Sequence, residues 1–373
     1  MPTILSIVSY PFLPARSGGE KGVALFNKYF SLNCNLVCVT TRRNDPAAAT
    51  GYEVKNILSD GKWRYVNIFY FYTLRKIIRE RSVSHVMLEH PYYGWLGFLL
   101  KSFCGVKLIV HSHNIEGLRW KTLGKWWWKL LWQYERFTHR RADYNFFIHD
   151  HDREYAIKEF GLDRARCMTV TYGIETDVPP HREERLRAKM EICASNAIDP
   201  QKKILLFNGA FRYKPNIDAL DRLIHTVNPI LQQKIAGTYV LLICGIGIPE
   251  RMLRVNAPDV NIIGFVDDVG LYFKGADVFL NPVNEGGGIK TKLVEALGAN
   301  LNAVSTQNGA TGIEPQWCNG KLFTVANDDW AGFGRLVSDA ILYEADTPPI
   351  FFDHFYWGNT ARRAASFIQT GST

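Results

Sequence analysis

Short β-rich runs alternate with helical stretches along the whole chain, and the alternation restarts midway. Strand candidates in the first half are Thr3–Ser9, Leu36–Thr40, Val66–Phe71, His85–Glu89, Lys107–His111, Asn145–Ile148 and Arg166–Val170. The second half continues with Lys203–Asn208, Tyr239–Cys244, Val260–Ile263, Val278–Leu280 and Asn302–Ser305. Many are apolar on both faces, as strands of a parallel sheet covered by helices must be. Two successive blocks of this kind predict two doubly wound α/β domains. The polar stretch from Val178 to Lys203, opening with Pro179–Pro180, reads as the linker, which gives domains of 1–178 and 179–352. A chain of 373 residues is comfortable as two domains and long for one.

Composition narrows the function classes. With 47% hydrophobic and 21% charged residues the chain carries sizeable cores and is not a disordered or collagenous sequence. The longest apolar run, Gly94 to Leu100, is far short of the roughly 20 residues of a membrane-spanning helix. Thr3–Ser9 reads as a buried strand rather than a signal peptide. Seven scattered cysteines, in no metal-ligand pattern, read as packed, reduced thiols of a cytoplasmic protein, and no bound metal is expected. The net charge of +8 favours anionic partners: nucleic acid, an anionic membrane or a phosphate-bearing substrate.

In open α/β sheets ligands sit beyond the C-terminal ends of the strands. Gly18 and Gly19 follow the first strand and open a helix, where backbone N–H groups meet a ligand at the positive dipole end. No G-x-G-x-x-G follows, which disfavours a dehydrogenase. Glu89–His90–Pro91 closes one strand and His111–Ser112–His113–Asn114–Ile115–Glu116 another. Alternation puts His111 and His113 on one side, with Asn114 and Glu116 opposite. His90 and His111 read as structural, and His113 beside Asn114 as the better site group. In the second half, Arg212 and Lys214 lie on a loop after an apolar strand and suit a diphosphate. Gly286, Gly287 and Gly288 then lead through Ile289 and Lys290 into a helix carrying Lys292 and Glu295. That glycine-rich turn is an anion cradle, and Glu295 suits sugar or ribose hydroxyls.

At these residues the chain resembles the retaining nucleotide-sugar glycosyltransferases of glycosyltransferase family 4. The likeness takes in Gly18–Gly19, His113–Asn114–Ile115–Glu116, Tyr172–Gly173–Ile174–Glu175, Gly209 through Asn216, Gly264–Phe265–Val266–Asp267–Asp268, the turn to Glu295, and Gly309–Gly312. It implies the GT-B architecture: two facing Rossmann-like domains, with a C-terminal helix (about 353–373) crossing back to the first. The resemblance places the nucleotide base at Phe265 and Val266, and the ribose at Glu295. The donor diphosphate falls to Arg212, Lys214 and the backbone around Gly287, Gly288, Ile289 and Lys290. His113 would lie near the reacting sugar, and Gly18, Gly19 and Asn114 on the acceptor side. The chain departs from the family's acidic pair, Glu–seven residues–Glu, because Gly287 stands at the first position. The arginine that often follows the first strand's glycine is also missing, being Ala210 here, and Arg212 is its substitute.

The implied function is transfer of a sugar from a nucleotide diphosphate sugar to a glycan or lipid-linked acceptor in cell-surface polysaccharide or lipopolysaccharide synthesis. No metal or other cofactor is implied, and nucleic acid is not an expected partner. Two readings compete: a non-catalytic sugar-nucleotide or glycan-binding protein, and a GT-B sugar-nucleotide epimerase. One stretch stands apart. From Lys125 to Arg141 a helix is predicted with Trp126, Trp127, Leu130, Leu131, Tyr134 and Phe137 facing the core. Lys125, Trp128, Lys129, Trp132 and Arg136 fall opposite, a pattern expected of an interfacial helix on the inner face of the cytoplasmic membrane.

Overall fold

Strands that all run the same way need a crossover between each pair, and helices supply it here. The computed structural model describes residues 1–286 and 288–371, so the reading at Gly287 lies outside the described residues. The chain divides into two units, Met1–Glu175 together with the segment from His354 onward, and Thr176–Asp353.

The first unit holds β1 (Thr3–Val8), β2 (Asn35–Thr41), β3 (Glu53–Leu58), β4 (His85–Glu89), β5 (Lys107–Ser112), β6 (Tyr144–Phe147) and β7 (Cys167–Thr169). They form one parallel sheet in the order β3-β2-β1-β4-β5-β6-β7. The second unit holds β8 (Lys203–Ala210), β9 (Tyr239–Ile246), β10 (Val260–Gly264), β11 (Val278–Asn281), β12 (Asn302–Thr306) and β13 (Leu322–Val325). Its parallel order is β10-β9-β8-β11-β12-β13. Both are doubly wound α/β sheets, as the alternation predicts. The central strands are buried on both faces: Ile4, Leu5, Ile7 and Val8 in one sheet, Leu205, Leu206, Leu241 and Leu242 in the other.

Several elements differ from the sequence reading. Val66–Phe71 is no strand; it spans the end of a short turn (Lys62–Val66) and the start of helix Phe69–Glu80. The buried residues Tyr70, Leu74, Ile77 and Ile78 recur at helical spacing, which outweighs the β-rich composition. β3 and β13 were not anticipated. β3 is an edge strand whose Glu53, Lys55 and Asn56 hide the apolar signal, and β13 is an edge strand of only four residues. The supposed linker is mostly helix, Arg182–Ser195, which buries Ala188, Ile192 and Cys193. A side chain at Gly275 would lie 2.6 Å from Ile192, so helix Val269–Gly275 packs directly against it.

The tryptophan-rich helix runs Trp128–Arg141, with Lys125–Trp127 before it, and its inner face is rotated from the prediction: Trp127, Leu131 and Tyr134 are half-buried and Lys125 and Lys129 exposed, as expected, but the other assignments change. Trp126 and Leu130 are exposed, whereas Trp132 packs edge-on against Phe160 at 5.2 Å and donates from Nε1 to the Tyr155 hydroxyl at 3.1 Å. Trp128 is half-buried beneath Lys121 and Lys129. The buried residues of this helix are polar: Glu135, Thr138 and His139. Glu135 accepts from the backbone N–H groups of Glu116 and Gly117, both at 2.9 Å, and His139 meets Asn145 at 2.8 Å. Hydrogen-bonded polar residues turned inward shift the buried face from the one that a hydrophobicity count would read.

The C-terminal helix Trp357–Thr370 belongs to the first unit, where it packs against helix Gly18–Phe30; Trp357 lies 6.3 Å from Phe26.

Candidate functional site

In each sheet the connections leave to opposite sides at one place, between β1 and β4 in the first unit and between β8 and β11 in the second. Open α/β sheets bind their ligands at such a point, beyond the strand ends. Each unit gathers polar residues at that point.

In the first unit β4 ends in Glu89, which is 1% exposed. A buried carboxylate needs donors, and two histidines supply them. His113 Nε2 lies 2.7 Å from one carboxylate oxygen, and His111 Nδ1 bonds the other at 3.2 Å. Burial works to raise the Glu89 pKa, but His111 and His113 overcome it and hold the group well below the usual carboxylate range. An ionised carboxylate only accepts, so both rings turn an N–H to it. Burial lowers the pKa of His111 and of His90.

His90 follows with φ 71°, a left-handed conformation uncommon outside glycine. Its ring stacks on His113 at 4.5 Å, and its Nδ1 lies 3.3 Å from Glu116. Glu116 also accepts from the Tyr92 hydroxyl at 2.6 Å. Burial pushes Glu116 up, but His90, Tyr92 and Arg119 bring it down to about 2. Alternation ends with β5 at Ser112, so the chain turns and brings Glu116 to this cluster instead of the opposite side. The ligand atoms of Glu89, His111 and His113 all lie within 4.8 Å of one another, a set a divalent cation could use. His149, His151 and Asp152 form a second such set.

Gly18 and Gly19 begin helix Gly18–Phe30, and the space beside Gly19 is open. The expected anion cradle is partly filled by the chain itself. Glu20 accepts from the N–H groups of Arg16 and Ser17 at 2.7 and 2.8 Å, and the Ser17 hydroxyl accepts from Glu20 N. Its carboxylate disfavours a second anion there. Asn114 is half-buried, and its carbonyl accepts from the Ser112 hydroxyl at 2.8 Å.

In the second unit β8 and β9 end close together. A side chain at Gly245, φ 145°, would lie 2.0 Å from the Gly209 carbonyl oxygen, so only glycine fits. After β8 come exposed Arg212 and Tyr213, then helix Lys214–Arg222. Lys214 pairs with Asp218, which raises its pKa. After β11 comes the glycine-rich turn. The Tyr213 hydroxyl packs against Gly286, where an added side chain would meet it at 2.4 Å, so the two loops touch. Lys290 folds its amine back onto the turn, donating to the carbonyls of Gly286 at 2.8 Å and Gly288 at 3.1 Å. Burial lowers its pKa to about 8.

Lys290 precedes helix Thr291–Gly298, which carries Lys292 and Glu295, paired at 2.7 Å. Lys292 also lies over the Phe273 ring at 5.7 Å. Ile289 packs beside Gly312. Phe265 and Val266 sit on the segment between β10 and helix Val269–Gly275, with Phe265 exposed. The structure therefore joins the Arg212–Lys214 loop to the Gly286–Lys290 turn through Tyr213.

Sequence reasoning gave no role to Tyr213, Asn281 or Glu89. Asn281 donates to the Ser305 hydroxyl and the Gly309 carbonyl, at 2.9 and 3.0 Å, and fixes the end of β11. Glu89 carried a legible signal, a lone carboxylate ending an otherwise apolar strand.

Comparison with known proteins agrees along the chain. Residues 18–178 match the model described as Glycosyltransferase Family 4, and residues 202–341 match Glycosyl transferases group 1. Among curated proteins nothing matches. Similar solved structures include a glycosyltransferase from Rickettsia africae ESF-5, with TM-score 0.69, 13% identity, and 99% of this chain and 98% of that one covered. Anabaena Alr3699/HepE in complex with UDP and glucose gives 0.67 and 10%, covering 98% and 99%. The lipopolysaccharide outer core galactosyltransferase WaaB, in its apo form, gives 0.65 and 15%, covering 99% of each chain.

Proposed function

The chain belongs to the glycosyltransferases of the GT-B architecture, matching family 4 along its first unit and group 1 along its second, and on that premise we propose that it moves a sugar, with retention of anomeric configuration, from a nucleotide diphosphate sugar to a glycan or lipid-linked acceptor. The observation that carries this reading is the contact between two loops at the switch point of the second sheet. Tyr213 links the cationic Arg212–Lys214 loop to the Gly286–Lys290 turn, so donors for a diphosphate converge where a doubly wound sheet binds its ligand.

As the glycosidic bond to the diphosphate breaks, negative charge grows on the leaving phosphate and positive charge on the sugar. Arg212, Lys214 and the N–H groups of the turn stabilise the former, held in place before the reaction begins. Arrival of the diphosphate gives the Lys290 amine an anionic partner in place of the turn's carbonyls, and the anion favours its charged form. Glu295 takes the ribose hydroxyls, while Phe265 and Val266 flank the base. His113, held through Glu89, meets a hydroxyl of the reacting sugar with Nδ1. The acceptor hydroxyl attacks on the face the diphosphate leaves, and its proton passes to the departing phosphate oxygen, so no protein base is required. The mechanism uses no metal.

Two neighbours support the choice of substrates. HepE was solved with UDP-glucose, which favours a uridine nucleotide, and WaaB is a lipopolysaccharide outer core galactosyltransferase, which favours a cell-surface glycan as acceptor. The test is thermal melting with UDP, GDP, ADP and their sugars, followed by NMR of the product anomer. One nucleotide family should raise the melting temperature, and its sugar should be transferred with its anomeric configuration kept. Binding without transfer to any acceptor, or an inverted product, refutes the reading.

A further inference from the structure

Burial of Glu135, Thr138 and His139 fixes which side of helix Trp128–Arg141 faces the core. The side turned away carries Leu130, Gln133, Phe137 and Arg140, at spacings of three and four, and exposed Trp126 lies in the turn before the helix. Trp126 is 89% exposed, Leu130 74% and Phe137 40%. Single exposed apolar residues are ordinary, but a stripe of them is not.

Cations surround the stripe. Among the described residues Lys125, Lys129, Arg136, Arg140 and Arg141 make no ion pair, and the one acid of the helix, Glu135, is turned inward and held by backbone N–H groups. Arg136, Arg140 and Arg141, with Gln133 and Phe137, line an open depression of about 380 Å³. The Arg136 Nε is buried and has no hydrogen-bond partner. Arg141 lies over Phe98 and Phe137 at 5.0 and 5.1 Å, which holds its guanidinium at the rim. Phe98, which meets Phe137 edge-on at 6.0 Å, belongs to helix Gly94–Cys104.

We propose that this face seats the protein on an anionic membrane, with Trp126, Leu130 and Phe137 at the headgroup level and the arginine depression holding a lipid phosphate. Charge complementarity selects the occupant: unpaired arginines want an anion of several oxygens, and tryptophan flanked by cations is the chemistry of a membrane–water boundary. The surface would bring a lipid-linked acceptor to the transferase, and it rests on that reading only for the acceptor.

Co-sedimentation with vesicles tests it. The protein should pellet with vesicles containing phosphatidylglycerol, remain free with phosphatidylcholine alone, and dissociate as salt rises. Trp126→Ser with Leu130→Ser should weaken binding at least about tenfold. Each of Lys129→Gln, Arg140→Gln and Arg141→Gln should weaken it on the order of fivefold. Trp132→Phe, on the inward side, should bind as wild type does. These exposed substitutions should leave the nucleotide-induced rise in melting temperature unchanged, so failure of the surface is separable from failure of the donor site. No pelleting with anionic vesicles, equal pelleting with neutral ones, or self-association abolished by the Trp126/Leu130 pair without vesicle binding overturns the proposal.

Discussion

Glu89 does one physical task that sequence inspection did not assign. It fixes two histidine rings through one buried carboxylate, and His113 is the ring the family resemblance places near the sugar. Glu89→Gln keeps the shape but offers one acceptor oxygen and no charge. The expected result is a fall in kcat on the order of 10- to 100-fold, the loss of a charged hydrogen bond, with nucleotide affinity unchanged. His113→Ala should give the same split, and a parallel loss of nucleotide affinity in both variants would mean the cluster acts on folding instead. Glu295→Ala should do the opposite, weakening nucleotide-sugar binding by about 1.5–3 kcal/mol as read by calorimetry. Histidines, glycines and lysines at strand ends were legible because their types are rare in parallel strands. The ties that hold them, Tyr213 to Gly286 and Lys290 to its own turn, were not, because they depend on loop paths that no periodicity encodes.

Helix Trp128–Arg141 shows what an element-level reading can miss. Its apolar residues alone predicted the wrong inner face, since two ionisable residues lie buried one turn apart. Their titrations act in opposite directions. Burial pushes Glu135 up to about 8, against its two backbone hydrogen bonds, and burial pushes His139 down to about 4 against Asn145. An acid with a raised folded pKa binds its proton more tightly when folded, so stability falls as pH rises from about 4.5 to about 8. A histidine with a lowered folded pKa must take up a proton on unfolding, so stability falls as pH drops from about 6.5 to about 4. Glu116, depressed to about 2, adds stability that is full above about 4.5 and is lost below it. Melting followed from pH 5 to 8 should therefore decline on the alkaline side, and Glu135→Gln should flatten that decline. An unchanged slope in the variant would show that Glu135 is ionised in the fold at neutral pH. Edge strand β3 is hidden because Glu53, Lys55 and Asn56 interrupt its apolar residues, and β13 because it is only four residues long.

At the scale of the whole molecule, the restart of the β–α alternation was enough to predict two doubly wound sheets, but not how the chain's last helix is anchored. That depends on one aromatic side chain meeting one glycine. Trp357 is buried, 5.5 Å from Tyr172 and 6.3 Å from Phe26, and a side chain at Gly173 would lie 2.6 Å from its ring. The backbone closes the joint: Ile174 N–H donates to the Phe355 carbonyl at 2.6 Å, and Trp357 N–H to the Ile174 carbonyl at 2.9 Å. Two segments some 180 residues apart are thus held together inside the first unit. Trp357→Ala removes the ring and leaves a cavity between helix Gly18–Phe30 and the Tyr172–Gly173 segment, at a cost of about 3–5 kcal/mol. Urea unfolding should show that loss as an earlier transition. The residues assigned to the nucleotide all lie in the second unit, so the variant should still gain protection from hydrogen exchange at 209–213 and 288–297 when the nucleotide is added. A transition at the wild-type urea concentration would show that Trp357 does not anchor the helix. Loss of the nucleotide's protection together with the first unit would show that donor binding is not confined to the second.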